Sequence, residues 1–458
     1  MPQIGALRSM RVFLAVWIGQ FISMLGSAIA GFALSLWVYQ ETGSATQYAL
    51  LNTFFALPSI LLSPLAGALV DRWDRRAAML FSDLCAGVVQ LTIALLFFTG
   101  RLEIWHIYVA IVIKSTCGAV QWPAFSAATT LLVPKQHLGR ASGMVQTAQA
   151  VSSIISPTVA GILIGLLALN GVLIIDAATF LVSFLVLVLV RFPRPTASET
   201  APARASIWRE AAYGWQYIVE RPGLLALLVL FALINFNVGI VTVLTVPMVL
   251  AFTTPVVLGS ILSTAGVGLL IGSVLMSVWG GPRRRVNTIF GSYLVVVCSL
   301  MLVGLHPTIP IFYVSAFFFF MSVPFVGGAS QAIWQVKVPP EIQGRVFAMR
   351  RVIAWSSLPL AYLAAGPLAD RVFGPLLLEN GALAGSVGRL IGVGPGYGIA
   401  FLFFTLGLLI LAVLVASYFY PRLRLVEDEL PDAIADAEPQ VEAAPSAEPQ
   451  TSGAAASA

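Results

Sequence analysis

Apolar stretches of about twenty residues recur along almost the whole chain, and few folds accommodate them. Each is long enough to cross the ~30 Å hydrocarbon core of a bilayer as a helix. They are placed at 12–39, 48–70, 77–99, 104–132, 141–165, 171–190, 223–251, 256–280, 287–305, 310–336, 345–369 and 396–420. Only 10% of residues are charged and the mean hydropathy is +0.92, whereas soluble domains carry about 25% charged residues. Backbone polar groups in lipid must be satisfied within their own element, and these runs are too long and continuous for barrel strands. The expected fold is an all-α polytopic membrane protein of twelve transmembrane helices.

Lysine and arginine set the expected orientation. Counting loops alternately, 21 basic residues fall on one side and three, Arg101, Arg371 and Arg389, on the other; Lys114 lies inside a span. Both termini are therefore expected in the cytoplasm of a multi-pass protein of a bacterial inner (plasma) membrane. Arg8 and Arg11 precede the first apolar run, but no small-residue cleavage site follows, so that run reads as a retained span. The expected divisions are a six-helix half at 1–190, a cytoplasmic linker at 191–222, a second six-helix half at 223–424 and a tail at 425–458. The linker opens Pro-rich and closes with IWREAAYGWQYIVERP, whose Ile207, Trp208, Ala211, Ala212, Trp215 and Ile218 fall at helical spacing. That spacing indicates an amphipathic helix on the membrane surface. The tail has eight acids, no bases, and much Ala and Pro, a composition expected to be disordered. Cys85, Cys117 and Cys298 fall inside spans without metal-ligand spacing.

The halves can be superimposed in sequence. VPKQHLGR (133–140) matches VPPEIQGR (338–345) at an offset of 205. The same offset pairs Ala160-Gly161 with Ala365-Gly366, and Gly67 with Gly272. Two parallel six-span repeats about a central cytoplasmic loop are the layout of a secondary transporter whose cargo sits at the midplane.

Charge concentrates at GALVDRWDRR (67–76), directly after the second span. Gly67 precedes Asp71 by four residues, so on a helix both share a face that a neighbour can approach closely. Arginines here suffice to anchor topology; Asp71 and Asp74 are what anchoring leaves unexplained. This stretch resembles the loop 2–3 signature of the major facilitator superfamily, with Gly67, Leu69, Asp71, Arg72, Arg75 and Arg76 matching and Asp74 standing where Gly is usual. TGSATQYALL at the start of span two and GRVFAMRR at the start of span eleven resemble the macrolide-efflux and enterobactin-exporter branch, and the likeness runs over roughly 8–422. The resemblance implies the major facilitator fold and a gating latch formed by Gly67, Asp71, Arg72, Asp74, Arg75, Arg76, Gly344 and Arg345. Asp71 would sit on the N-terminus of span eleven, where unpaired backbone donors favour a carboxylate.

Lys114 lies about ten residues, or ~15 Å, into span four, and a charge at that depth marks function by default. It stands where the superfamily often has Arg followed four residues on by Gly, here Gly118. A lysine there is open to two roles, proton carrier or counter-ion for an anion. Asp83, two turns from one end of span three, and Asp176, near the opposite end of span six, complete the coupling or anion-binding candidates. SSIISPTVAG (152–161) resembles the superfamily's span-five antiporter motif; Ser156, Pro157 and Gly161 would let the span pack closely and flex, and a plain helix-packing face would read similarly. Gln20, Asn52, Gln121, Asn235, Asn237 and Gln331 are pocket candidates, since amides in lipid face the bundle either as helix glue or as cargo contacts.

No phosphate loop and no nucleophile–base arrangement is present, so the chain is expected to be neither an ATP-driven pump nor an enzyme. No cofactor, metal or nucleic acid is expected. The expected function is secondary active efflux of hydrophobic or amphipathic small molecules, drug- or macrolide-like, in exchange for protons and by a monomer in the bilayer. Two alternatives stay open: export of siderophores or organic anions held by Lys114, and a non-transporting scaffold or sensor.

Overall fold

A computed structural model describes residues 2–72, 74–133, 138–190, 207–279, 284–339 and 342–429. Within these, the side chains at 2–9, 63–72, 75, 122 and 344, among others, lie outside the description. The described residues are helical, with no strand. The helices are α1 (Pro2–Thr42), α2 (Ala45–Arg72), α3 (Arg75–Phe98), α4 (Ile104–Leu132), α5 (Leu138–Leu189), α6 (Ile207–Val219), α7 (Pro222–Leu250), α8 (Pro255–Trp279), α9 (Arg285–Leu305), α10 (Ile309–Lys337), α11 (Gln343–Pro367) and α12 (Tyr397–Phe419). All except α6 are long and apolar enough to cross a membrane, which makes eleven among the described residues. The expectation of twelve departs from this at one place. Spans five and six run as the single element α5, and Ala168 (φ 52°, ψ −172°) breaks its helical backbone. Large apolar side chains cover the outside, Val278 being 83% and Phe419 75% exposed. A surface of this kind belongs in lipid.

The internal repeat is visible in helix boundaries. α4 and α10 are both 29 residues long and start and stop 205 residues apart. Each ends in an extended valine, Val133 or Val338, whose N–H donates to the carbonyl four residues back, on Thr129 or Trp334. The VP dipeptide that first exposes the repeat is thus its helix stop: the residue before proline is pushed out of the α region.

The halves meet along two seams, α2 with α11 and α5 with α8. In the second, the span-five motif is a close-packing surface. A Cβ on Gly259 would lie 2.7 Å from the Pro157 carbonyl oxygen, and one on Gly161 2.8 Å from that of Pro255. Thr158 Oγ1 donates to the Gly259 carbonyl (2.8 Å) and also meets Ser263 Oγ, which donates to the Ile154 carbonyl (2.7 Å). Ser156 is buried beside this contact.

Two segments make contacts that the sequence reading did not offer. α6 is docked on protein: Tyr217 OH donates to the Lys337 carbonyl (3.1 Å), Gly214 lies against the Arg345 carbonyl, and Ile218 is fully buried. Tyr213 and Trp215 on this helix are exposed. The tail expected to be disordered from 425 begins with an ordered turn at Val426–Glu429. Glu427 accepts from the Val286 N–H at the start of α9 (3.0 Å), and Asp428 pairs with Arg284 (3.5 Å). An acidic turn thereby neutralises a helix N-terminus and its flanking arginine. The rest of the tail, from 430, lies outside the described residues.

Replacing Gly259 by leucine should force α5 and α8 apart. Overpacking of this sort costs about 1–3 kcal/mol, so a lower melting temperature in detergent is expected; an unchanged melt would mean that the seam yields freely.

Candidate functional site

Two cavities hold ionisable side chains of the spans. The first, about 280 Å³, lies wholly among helices of the first half. Asp83 from α3 accepts from Gln20 Nε2 of α1 (3.0 Å) and from Gln121 Nε2 of α4. The two amides are themselves joined, Gln121 Nε2 to Gln20 Oε1 (3.0 Å), and Gln20 also reaches Ser183 Oγ of α5 (3.0 Å). Across the same cavity, Lys114 Nζ donates to Gln90 Oε1 (3.0 Å) and stands 3.9 Å from Asp176 Oδ2; Ser27 Oγ donates to Asp176 Oδ1 (2.9 Å). Asp176 is 1% exposed and Lys114 27%, so the pair presents its cationic member to the cavity. Gln90 Nε2 and Asp176 Oδ2 are buried with no hydrogen-bond partner. A proton or a polar ligand group would therefore find an acceptor and a donor waiting.

This arrangement revises the sequence reading of the carboxylates. Asp83 and Asp176 look remote from Lys114 along their helices, near opposite ends of different spans. In the folded chain all three line one cavity. Gln20 and Gln121, expected as pocket residues, are there as well. Gln90 was missed, although α3 places it seven residues, two helical turns, beyond Asp83 and so on the same face.

The second cavity, about 600 Å³, lies among α7, α9, α10 and α11. Gln331 and Asn235 line it as expected, and Asn235 Nδ2 donates to the Ala354 carbonyl (3.2 Å). Asn52 and Asn237 do not join either cavity. Their amides donate along their own helices, to the carbonyls of Tyr48 (3.3 Å) and Leu233 (2.8 Å). Arg350, which the sequence offers only as a topology-setting charge, enters this second cavity.

The latch expected at GALVDRWDRR is resolved in part. Side chains of Asp71, Arg72 and Arg75 lie outside the described residues, as do Gly344 and any contact of Gly67. Asp74 caps α3, accepting from the Ala77 N–H (3.0 Å), which is reason enough for an acid where the superfamily pattern has Gly. Arg76 points away from the other half. Its Nε and Nη2 donate to the carbonyls of Leu187 (3.2 Å) and Val188 (2.7 Å), the unpaired end of α5. Arg345 places its guanidinium over the Tyr213 ring at 5.7 Å.

A clasp between the halves does occur at the other end of α2. Asp370, in the turn after α11, accepts from Ser44 Oγ (2.9 Å), the Ala45 N–H (3.2 Å), the Thr46 N–H (2.8 Å) and Thr46 Oγ1 (2.7 Å). Gly43 (φ 61°) supplies the left-handed turn that aims these donors at it. A carboxylate on the N-terminus of a 28-residue helix satisfies unpaired donors and meets the positive end of its dipole. Tyr39 OH adds a bond to the Pro247 carbonyl (3.4 Å) at the same end.

Repeated halves of apolar helices, joined along two seams and holding ionisable groups in internal cavities, define a polytopic helical membrane transporter. The chain belongs to the major facilitator superfamily, whose family model matches residues 16–362. It is 30% identical over 370 residues to macrolide efflux protein A of Streptococcus pyogenes, covering 79% of this chain and 90% of that protein. It is 23% identical over 357 residues to the multidrug efflux pump Tap of Mycolicibacterium fortuitum, covering 75% and 86%. In fold it is similar to a bacterial homolog of the human lysosomal transporter Spinster, crystallised inward-facing and unoccupied. The TM-score there is 0.69 at 13% identity, over 92% of this chain and 98% of the other.

Removing one partner of a buried ion pair strands the other. Asp176→Asn is expected to destabilise the protein by ~1–3 kcal/mol, below the full buried-pair cost because Lys114 touches the cavity. The double change Lys114→Gln with Asp176→Asn should recover most of that. Thermal melts of Asp176→Asn, Lys114→Gln and the double variant check this, and equal losses in single and double variants would rule out an energetic pairing.

Proposed function

We propose that the chain exports hydrophobic or amphipathic small molecules, macrolide-like compounds among them, in exchange for protons. The observation that carries this reading is the convergence of Asp83, Lys114 and Asp176 on one cavity inside an apolar bundle. Ionisable groups are retained in such a place for transport chemistry far more often than for stability. The efflux activity in the printed names of the relatives supports export as the direction.

Asp83 is the proton site in this scheme. Ionised, its carboxylate accepts from Gln20 and Gln121; protonated, it needs only one acceptor, and the amides are released toward cargo. A proton on Asp83 and cargo at the two glutamines are then alternatives, which is the linkage exchange requires. Lys114 and Asp176 hold the opposite wall and offer a second place for a proton. Access alternates by rocking the halves about the α2–α11 and α5–α8 seams. With twelve crossings and both termini in the cytoplasm, the Asp370 clasp faces the exterior and seals it while the cavities face inward. The latch of Asp71 with span eleven takes over at the cytoplasmic side in the opposite state. The working unit is one chain.

The alternative in which Lys114 acts as counter-ion for an anionic cargo is weakened by Asp176, which already neutralises it. Purified protein in liposomes under an imposed pH gradient should move a macrolide and lose its dependence on the gradient in Asp83→Asn. If a broad compound panel stays put in the wild type, the exporter reading fails and a scaffold role gains. For the clasp, Asp370→Asn removes an interaction worth up to ~2 kcal/mol. It should raise the labelling of a cysteine at Ser27 by an impermeant thiol reagent added outside whole cells. Labelling unchanged from the parent cysteine variant would show that Asp370 does not hold the outer side shut.

A further inference from the structure

In the second cavity a cationic side chain, Arg350, enters the bundle with neutral partners. Arg350, seven residues into α11, lies about 10 Å from the helix start. Its Nη1 donates to Gln331 Oε1 (3.0 Å) and its Nη2 to Ser330 Oγ (3.0 Å), and the guanidinium stands 5.2 Å from the Trp334 ring centre. Ser330 and Trp334 are buried at 0% and 1% exposure, so this group has been drawn inward. Arg351 lines the same cavity, 5.7 Å from the Trp355 ring. Among the described residues no carboxylate lies within 4 Å of either guanidinium. Lys114 in the first cavity is the contrast, neutralised by Asp176.

Arg350 has given up part of its hydration, while Arg351 stays exposed at the cavity edge and adds a second positive charge there. Neutral acceptors such as Gln331 and Ser330 orient a guanidinium without cancelling its charge. Arg keeps that charge under all physiological conditions and offers a planar fork suited to carboxylate or phosphate oxygens. Apart from Asn235 and Ser322 the remaining walls are aromatic and aliphatic, and about 600 Å³ falls within the range of roughly 300–1,000 Å³ that takes a drug-sized molecule.

We propose that this cavity is a second binding site, taking an amphipathic anion whose carboxylate or phosphate head is held by Arg350 and whose apolar body lies between Trp334 and Trp355. Arg351 adds long-range attraction from the cavity edge. The site is independent of the proton and cargo chemistry assigned to the first cavity, and a binding measurement tests it without transport.

The experiment is equilibrium binding of tritiated decanoate to the purified full-length chain in neutral maltoside micelles. Unlabelled decanoate, decanol and decylamine serve as competitors. Saturable binding near one decanoate per chain is expected, with decanol and decylamine competing at least about tenfold less well. Arg350→Gln should weaken decanoate by about tenfold or more, the loss of one charge-assisted hydrogen bond. Gln331→Glu is nearly isosteric and places an internal carboxylate on the same guanidinium, so it should weaken decanoate equally even if Arg350→Gln proves unstable. Competition by phosphatidylglycerol would make the natural ligand a lipid head group, and its failure to compete a soluble amphiphile; both fit an anion site. The proposal is overturned if decanol competes as well as decanoate, if Gln331→Glu binds decanoate like the wild type, or if Lys114→Gln abolishes binding while Arg350→Gln does not.

Discussion

The cost of holding charge away from water shapes this protein more than any other term. Each ion taken into an apolar interior forfeits several kcal/mol of hydration unless partners replace it. The first half meets that cost locally: two amides flank Asp83, and Lys114 is shared between Asp176 and Gln90. The second half leaves Arg350 with neutral partners alone. Halves built on one repeat have therefore diverged in electrostatics while keeping helix boundaries to the residue in α4 and α10. The backbone frame is common property; the first cavity holds its cation beside an acid, and the second holds Arg350 among neutral acceptors.

The contacts that join the halves are of a different kind from those that build each half. Within a half, long helices pack along their length. Between halves, the described bonds are a carboxylate on a helix end, the Tyr39 hydroxyl on the Pro247 carbonyl, and a short run of hydroxyls beside close-packed glycines on α5 and α8. Each such bond is worth about 0.5–1.5 kcal/mol net, or somewhat more where a charge is involved. Interactions of that size can hold one arrangement and still release it, as a carrier with two states of similar free energy needs.

The architecture was legible in the sequence because lipid imposes a strict rule on length and composition. The spans, the repeat at VPKQHLGR and VPPEIQGR, and the isolated Lys114 all follow from it. Which residues share a cavity was not legible. A helix apolar on every side gives no periodic signal of its inward face, so Asp83 and Asp176 could be assigned a depth but no neighbour. Arg350 was hidden among the arginines that orient the chain, since counting charge by loop does not tell a guanidinium facing water from one turned inward. The division of α5 at Ala168 falls between the apolar runs 141–165 and 171–190, so it was legible as well. Asp74 and Asp370 were partly readable: an acid before a helix and a Ser-Ala-Thr start to α2 are both capping chemistry. The second lacked a visible partner because that partner lies 325 residues away.

The docking of α6 has a mechanical corollary. Anchored to Lys337 and Arg345, this helix travels with the second half, so the covalent leash between the halves is residues 191–206 and not the whole segment to 222. Sixteen residues span about 55 Å at most when fully extended.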